Sequence, residues 1–419
     1  MSTAPRAPLM SLDDALQALM AHITPLSAVE SVATLDADGR ILAQDLVSAL
    51  QVPAFDNSSM DGYAVRCADV QHMGSELTVT QRIAAGHFGD ALLPGQTARI
   101  FTGAPVPPGA DAIVMQEQVE PVSGQDSQRV RFLTTAQVGQ WIRRSGEDVG
   151  AGDTVLRRGQ KLGPAELGLA ASLGLAHVNV VARPKVALFS TGDELVMPGD
   201  VAPADMPPGA IYNSNRFFLR ALLHRLGCEV SDLGIVPDRR EATVAALKTA
   251  ADHHDLILTS GGVSVGEEDH VKPAVQSLGE LALWQIAMKP GKPFAYGHVR
   301  RETASGAAHF VGLPGNPVSS FVTFLLLVKP LILALQGAAS KPPVPYRLPA
   351  HFELTKADKR REFLRVRRNK QGGLDLFPNQ SSGVLTSVVW GDGVVDNPAG
   401  HTIARGDLLD FWSFSEWLS

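Results

Sequence analysis

The apolar run Leu256-Ile257-Leu258-Thr259-Ser260 opens into a glycine-rich turn, Gly261-Gly262-Val263-Ser264, and then reaches an acidic cluster, Glu267-Glu268-Asp269. A buried strand that ends in glycines lets its backbone approach a phosphate and aim N–H groups at it. The acids that follow suit a hard cation such as Mg2+ beside those phosphates. The string is neither a Walker A loop nor GxGxxG, because no GK[ST] follows and the glycine spacing differs. A glycine turn leading into a solvated acidic helix start stands beside the ligand reading as the plainer alternative.

Four other strings bear on the same chemistry. Met288-Lys289-Pro290-Gly291-Lys292-Pro293 holds two lysines on a proline-stiffened frame, either a fixed cationic edge for an anionic substrate or a surface turn with solvated lysines. In Leu313-Pro314-Gly315-Asn316-Pro317-Val318-Ser319-Ser320, Asn316 reads as the N-cap and Pro317 as the first residue of a long apolar helix. Helix N-termini bind anions, although a good helix start needs no ligand to explain it. Ser190-Thr191-Gly192-Asp193-Glu194-Leu195 follows another apolar run, so Glu194 reaches the same sheet edge, as does Asp238 after a further strand. Carboxylates there can position a metal or an attacking oxygen. Strand ends carrying acids, glycines and lysines are better explained by one cleft than by unrelated turns. Lastly, Phe55-Asp56-Asn57-Ser58-Ser59-Met60-Asp61-Gly62-Tyr63-Ala64-Val65-Arg66, with Arg99, Thr102-Gly103-Ala104-Pro105 and Arg144 to Asp148, offers acceptors and cations from outside that region. Composition alone also fits ordinary turns there.

The elements that must position these strings are readable from the spacing. From Pro184 onward, short apolar strands alternate with helices at Ser214 to Leu226 and Arg240 to Ala251, which implies a parallel-rich sheet with helices on both faces over residues 184–337. Residues 77–132 carry short alternating runs between Gly/Pro turns, a β-rich texture. A helix capped by Ser11 precedes them and another opened by Pro164 follows. Lys341-Pro342-Pro343-Val344-Pro345 is a stiff linker, and residues 342–419 read as a C-terminal β domain. The fold class is therefore multidomain, α/β and β.

Composition excludes several classes. The net charge of -6 lacks the basic field that a general nucleic-acid binder needs, and the basic segment Lys356 to Lys370 has Phe363 as its lone aromatic. That segment reads as a solvated hairpin or as one wall of an anion-binding cleft. Cys67 and Cys228 make no disulfide framework, the histidines show no HExxH spacing, and no GxSxG elbow occurs. Met1 to Leu9 has no long apolar run, so a secretory leader is not expected and a reducing, cytoplasmic setting fits. Val318 to Leu335 is apolar enough to resemble a membrane span, but Lys329-Pro330 inside it favours a buried helix.

Taken together, FDNSSMDGYAVR, TGAPVPPGAD, the GED of Gly146 to Asp148, STGDEL, SGGVSVGEEDH, KPGKPFAYG and GLPGNPVSS resemble the molybdopterin molybdenumtransferase family, which includes the E domain of gephyrin. The strings occur in the family's order. The resemblance implies an elongated N-terminal platform over residues 1–50 and 141–183, a β-rich domain over residues 51–140 inserted into it, and a homodimer whose cleft lies between the α/β domain of one chain and the inserted domain of the other. It implies adenylylated molybdopterin and molybdate as substrates, Mg2+ as the assisting metal, molybdenum cofactor and AMP as products, and a molybdopterin adenylyltransferase upstream. Carried over by motif, Asp61, Thr102 and Asp148 come from the platform side. Glu194, Asp238 and Asp269 hold metal and pyrophosphate. Ser260, Gly261, Gly262 and Ser264 cradle phosphate, and Lys289 and Lys292 draw in anions. Pro314, Gly315, Asn316, Pro317 and Ser319 form the rim, and Arg361 and Ser382 face the cleft from the C-terminal domain. Gln285 stands after Trp284 where many relatives carry a basic residue. Two rivals are an adenylyltransferase of the same α/β fold, which leaves FDNSSMDGYAVR unexplained, and a dimeric scaffold, which has no need of a charged cleft.

Overall fold

The structure, a computed structural model, describes residues 9–122, 128–262, 270–303, 305–339 and 344–418. At its centre a six-stranded sheet runs in the order Glu229–Val236, Lys185–Thr191, Leu256–Ser260, Ala307–Leu313, Pro293–Arg300 and Gly279–Gln285. The first four strands are parallel and the last two antiparallel, so the expected parallel sheet ends in a hairpin edge. Burial on both faces explains the nearly unbroken apolar strands. Val186, Leu188, Leu256 and Leu258 pack toward helices Ser214–Arg225 and Pro317–Leu335, while Ala187, Phe189 and Ile257 pack toward Arg240–His253 and Val271–Leu278.

Helix Pro317–Leu335 is long and apolar enough to cross a membrane, yet 72% of it is buried inside the protein. It runs as α-helix to Thr323, as a π turn over Phe324–Val328, and as α-helix again from Lys329. Pro330 has no N–H to offer the carbonyl four residues back, and the ladder slips by one residue just before it. The Lys329 ammonium donates to the carbonyl of Trp417 in the C-terminal domain.

The first helix, Leu12–Ala21, is capped by the Ser11 hydroxyl, which accepts from the Asp14 N–H. The assignment of residues 1–50 to the platform is corrected for the first helix alone, since strands Val29–Ala33 and Leu46–Val47 belong to the platform. Leu12, Ala15 and Leu19 sit in the α/β core, and the Met10 N–H donates to the Gln285 carbonyl at 2.8 Å. At the end of this helix His22 meets Tyr296 and His298, and the Tyr296 hydroxyl lies 3.1 Å from His298 Nε2 and 2.9 Å from His309 Nδ1.

The platform proper is closed by chain segments far apart in sequence. Strand Val29–Ala33 pairs with His177–Val181, and Leu46–Val47 pairs with Thr154–Leu156, over a core that includes Leu42, Leu162, Ala170 and Val180. Between them lies the insert, a six-stranded sheet ordered Ala112–Met115, Gly62–Val65, Gln96–Ile100, Glu76–Ile83, Arg129–Phe132 and Val119–Pro121. Its neck is the antiparallel pair Asn57–Ser58 with Ile142–Arg143. The C-terminal sheet is built on Arg361–Arg368, Gly393–Asn397 and Leu408–Ser413, and Met288–Lys289 joins it in parallel, with Lys289 opposite Glu362. Of the linker, residues 341–343 lie outside the described residues.

Candidate functional site

Parallel strands end together at their carboxyl edge, and the loops that leave them make a cleft there. Its volume is about 770 Å³. Thr191, Gly192 and Glu194 follow the central strand, Asp238 follows strand Glu229–Val236, and Ser260, Gly261 and Gly262 end strand Leu256–Ser260. Pro314, Gly315, Asn316, Pro317 and Ser319 close the far side, and Gly383 of the C-terminal domain reaches the rim. Ser382 stands beside it, its carbonyl accepting from the Val318 N–H at 2.9 Å. The predicted strand-end residues of the described chain therefore meet in one place. Ser264 and Asp269 lie outside the described residues.

The glycines are required by space as well as by conformation. Gly261 has φ +92°, and a Cβ there would sit 2.6 Å from the Thr191 carbonyl oxygen. At Gly262, φ +65°, a Cβ would lie 2.4 Å from Val271 Cγ2 and 2.8 Å from Thr191 Oγ1. The backbone is thus pressed against its neighbours within the cleft lining. Two polar atoms of the lining, Thr191 Oγ1 and Asn213 Nδ2, are buried without a hydrogen-bond partner among the described residues. Buried polar groups are nearly always satisfied, so these two call for a polar ligand. Asn213 already spends its oxygen on the N-cap, accepting from the Arg216 N–H, which leaves its amide for the cleft. Asn215 donates to the Gly315 carbonyl at 2.7 Å and holds the rim loop in place. The string Tyr212-Asn213-Ser214-Asn215 went unremarked in the sequence, although an Asn-capped helix start after a short strand was its available signal.

Asn316 is the residue before the helix and Pro317 the first within it, as the sequence implies, but the Asn316 side chain makes no capping bond. Glu194 and Asp238 are hard oxygen donors on the same wall, which suits Mg2+. No group of three metal ligands exists among the described residues. The described lining carries these two carboxylates and neither lysine nor arginine.

Lys289 and Lys292, expected among the cations of the cleft, do not line it. Strand pairing carries Lys289 to the C-terminal domain, where its ammonium donates to Glu362 Oε1 at 2.9 Å and lies 3.4 Å from Asp358. The Glu362 hydrogen bond raises the lysine's pKa, and Arg360, more than Lys289, holds Asp358 well below the usual carboxylate range. Arg361, expected at the cleft, is corrected as well. It forks onto Asp396 and reaches Asp13 at 3.1 Å, lining a second and largely apolar cavity between the first helix, the platform and the C-terminal domain. Gln285 closes an edge strand and lies outside the cleft lining.

Missed by sequence reasoning is Arg365, only 1% exposed and ion-paired with no carboxylate among the described residues. Its guanidinium donates to Ser387 Oγ and to the carbonyls of Phe363 and Ser381, at 3.1, 3.2 and 3.2 Å. It thereby fixes the segment that presents Ser382 and Gly383.

Of the platform-side residues, Asp61 and Thr102 meet on the insert, and Asp148 stands beyond its neck. Asp61 accepts from both the N–H and the hydroxyl of Thr102, which hold its carboxyl below the ordinary carboxylate range. Asp148 is exposed and its N–H bonds to the Val52 carbonyl. None of the three lines the α/β cleft of its own chain. Neither cysteine joins a site, and burial pushes both thiols up to about 12.

Fold and cleft define a multidomain α/β protein with a polar cleft at the strand ends of its central sheet. Residues 10–174 match the MoeA N-terminal region (domain I and II), 187–334 a probable molybdopterin binding domain, and 347–414 the MoeA C-terminal region (domain IV). The molybdopterin molybdenumtransferase of Haemophilus influenzae is 42% identical over 372 residues, 88% of this chain and 89% of that protein. That of Nostoc sp. is 36% identical over 414 residues, 95% of this chain and 92% of that protein. Among solved structures, the molybdopterin biosynthesis moeA protein of Pyrococcus horikoshii OT3 superimposes with a TM-score of 0.84 at 27% identity, covering 97% of this chain and 100% of that one. The chain belongs to the molybdopterin molybdenumtransferase family.

Proposed function

We propose that this enzyme transfers molybdenum from molybdate to adenylylated molybdopterin, releasing AMP, with Mg2+ as the assisting metal. The observation that carries this reading is the strand-end cradle, in which Gly261 and Gly262 bring bare backbone to a wall holding Glu194 and Asp238. A phosphate ester fits the glycine backbone, and the carboxylates fit the metal that would neutralise it. Mg2+ held by Glu194 and Asp238, with Asp269 as a further ligand, would polarise the phosphoanhydride that breaks. The chain's own residues bind and orient. Thr191 and Asn213 offer buried polar atoms, Asn215 fixes the rim, and the start of helix Pro317–Leu335 faces the anion.

A homodimer completes the site in this reading. The inserted domain of a second copy brings Asp61 and Thr102 across the cleft, with Asp148 beside its neck, since within one chain the three stand apart from it. The enzyme would work in the cytoplasm, downstream of a molybdopterin adenylyltransferase, with no nucleic acid or membrane involved. The test is to incubate purified protein with adenylylated molybdopterin and Mg2+ and to follow AMP with and without molybdate. AMP release that requires molybdate and disappears in Glu194→Gln supports the transfer. Binding without any AMP release would leave the scaffold reading in its place.

A further inference from the structure

Within the insert, cross-strand register sets Arg82 opposite Arg99 and Arg99 opposite Tyr63, a row across three strands. Both guanidinium groups rest on one ring: that of Arg82 lies 4.4 Å, and that of Arg99 4.7 Å, from the centroid of Phe101. Like charges directly opposite one another on a sheet are unfavourable. Neither arginine has an ion-paired carboxylate among the described residues; Arg99 instead donates to the Gly62 carbonyl at 2.9 Å and to the Gln116 side chain. Gln116 in turn bonds Glu117, so the amide stands between that carboxylate and the guanidinium. Arg82 is exposed, Arg99 half-buried, and the next residue after Phe101 is Thr102, bonded to Asp61.

Two guanidinium groups held on one aromatic ring, with no carboxylate in direct ion-pair contact among the described residues although Asp61 feels the charge of Arg99, are the counterpart of what the α/β cleft lacks. That cleft presents two carboxylates and no cation among its described lining, yet its ligand is an anion. Guanidinium forks recognise tetrahedral oxyanions by paired N–H donors. We infer that Arg82 and Arg99 form an oxyanion-binding pair that the insert of one copy contributes to the cleft of the other, taking a tetrahedral oxyanion of the substrates, either phosphate ester or molybdate. This rests on the two-chain reading of the cleft. It gives the residue string around Asp61 a binding task as well as a structural one.

Binding without turnover tests it. The parent chain, Arg82→Gln and the Arg82→Gln/Arg99→Gln double variant are titrated calorimetrically with adenylylated molybdopterin in the absence of molybdate, and separately with molybdate alone. Arg82→Gln is included because that side chain is exposed, so its replacement should leave the fold intact. At least a tenfold loss of affinity for the phosphate ester in the double variant assigns the pair to the phosphate. The same loss confined to molybdate assigns it to molybdate. Affinities for both ligands within twofold of the parent overturn the assignment. Arg82→Lys/Arg99→Lys should recover part of the lost affinity, because charge survives while the fork is lost. A parent that binds the ester but releases no AMP when molybdate is added would count against the transfer reading and not against the arginine pair.

Discussion

A single carboxylate oxygen, Asp61 Oδ1, takes both the backbone N–H and the hydroxyl of Thr102, each at 2.8 Å. Those donors favour the charged form, so the folded pKa is depressed. The stability this contributes is present above the unfolded value and is lost only as pH falls through the lower folded value. Asp61 therefore stays ionised across any acidic fall of activity at or above the ordinary carboxylate range. Asp61→Asn should retain the fold and lower AMP release at least tenfold without moving the acidic limb of the pH–rate profile. A limb that moves with the substitution would mean that Asp61 titrates there.

If two copies share each cleft, chains inactivated on opposite sides should repair one another. Asp61→Asn and Glu194→Gln proteins, each inactive alone, should regain activity when unfolded together and refolded as a mixture. Random pairing in a two-fold dimer leaves about a quarter of the parental sites intact. Recovery at that level is the expected result. A mixture as inactive as its components would place both residues in the cleft of one chain.

Gly262→Ala should cost about 1–3 kcal/mol in urea unfolding, from left-handed backbone strain plus collision with Val271 and Thr191. Affinity for adenylylated molybdopterin should fall with it. Gly199 provides the comparison, since at φ +100° it too resists a side chain, but nothing lies within 4 Å of a Cβ there. Gly199→Ala should carry the strain alone and bind normally. Equal affinity in both variants would remove Gly262 from the cradle.

His309 gives the stability a pH dependence of its own. Burial, aided by the nearby His298, His22 and Arg301, pushes its pKa down to about 4. The unfolded chain binds a proton near pH 6.5 that the folded chain refuses, so stability should fall as pH drops from 6.5 toward 4. His309→Gln should flatten that slope in urea titrations at successive pH values. An unchanged slope would show that other groups set it.

Replacing the buried Arg365 by Lys keeps the charge but cannot serve Ser387, Phe363 and Ser381 together. Stability should drop by about 1–3 kcal/mol, the cost of buried acceptors left without donors. If urea unfolding registers no loss, the fork is not what holds that segment.

Much of this architecture was legible because periodicity and punctuation agree in it. The strands ending at Thr191 and Ser260 each carry an unbroken apolar run, Val186 to Phe189 and Leu256 to Leu258, and stop at glycines, so a parallel sheet and its carboxyl edge could be read directly. The antiparallel hairpin of Pro293–Arg300 with Ala307–Leu313 was not, because a buried strand has the same composition whichever way it runs. Lys289 shows the limit for side chains. Its spacing advertises a free cation, but its partners, Glu362 and Asp358, arrive from about seventy residues later. Arg365 was hidden inside a basic run whose other members are mostly surface charges, and no local pattern marks which one turns inward. The first helix has the amphipathic spacing of any surface helix, and nothing in it says whether platform or α/β core will receive it.

The platform is a seam between the beginning and the middle of the chain. Val29 pairs with Val181, about 150 residues later, while the whole insert folds back on its own neck at Asn57–Ser58. On a ribosome working at about 5–20 residues per second, the first strand waits roughly 8–30 s for its partner. The insert, whose strands all lie within that interval, is complete before the seam can close. Arg82, Arg99 and Asp61 are then in their final arrangement before the chain's own α/β domain has been translated.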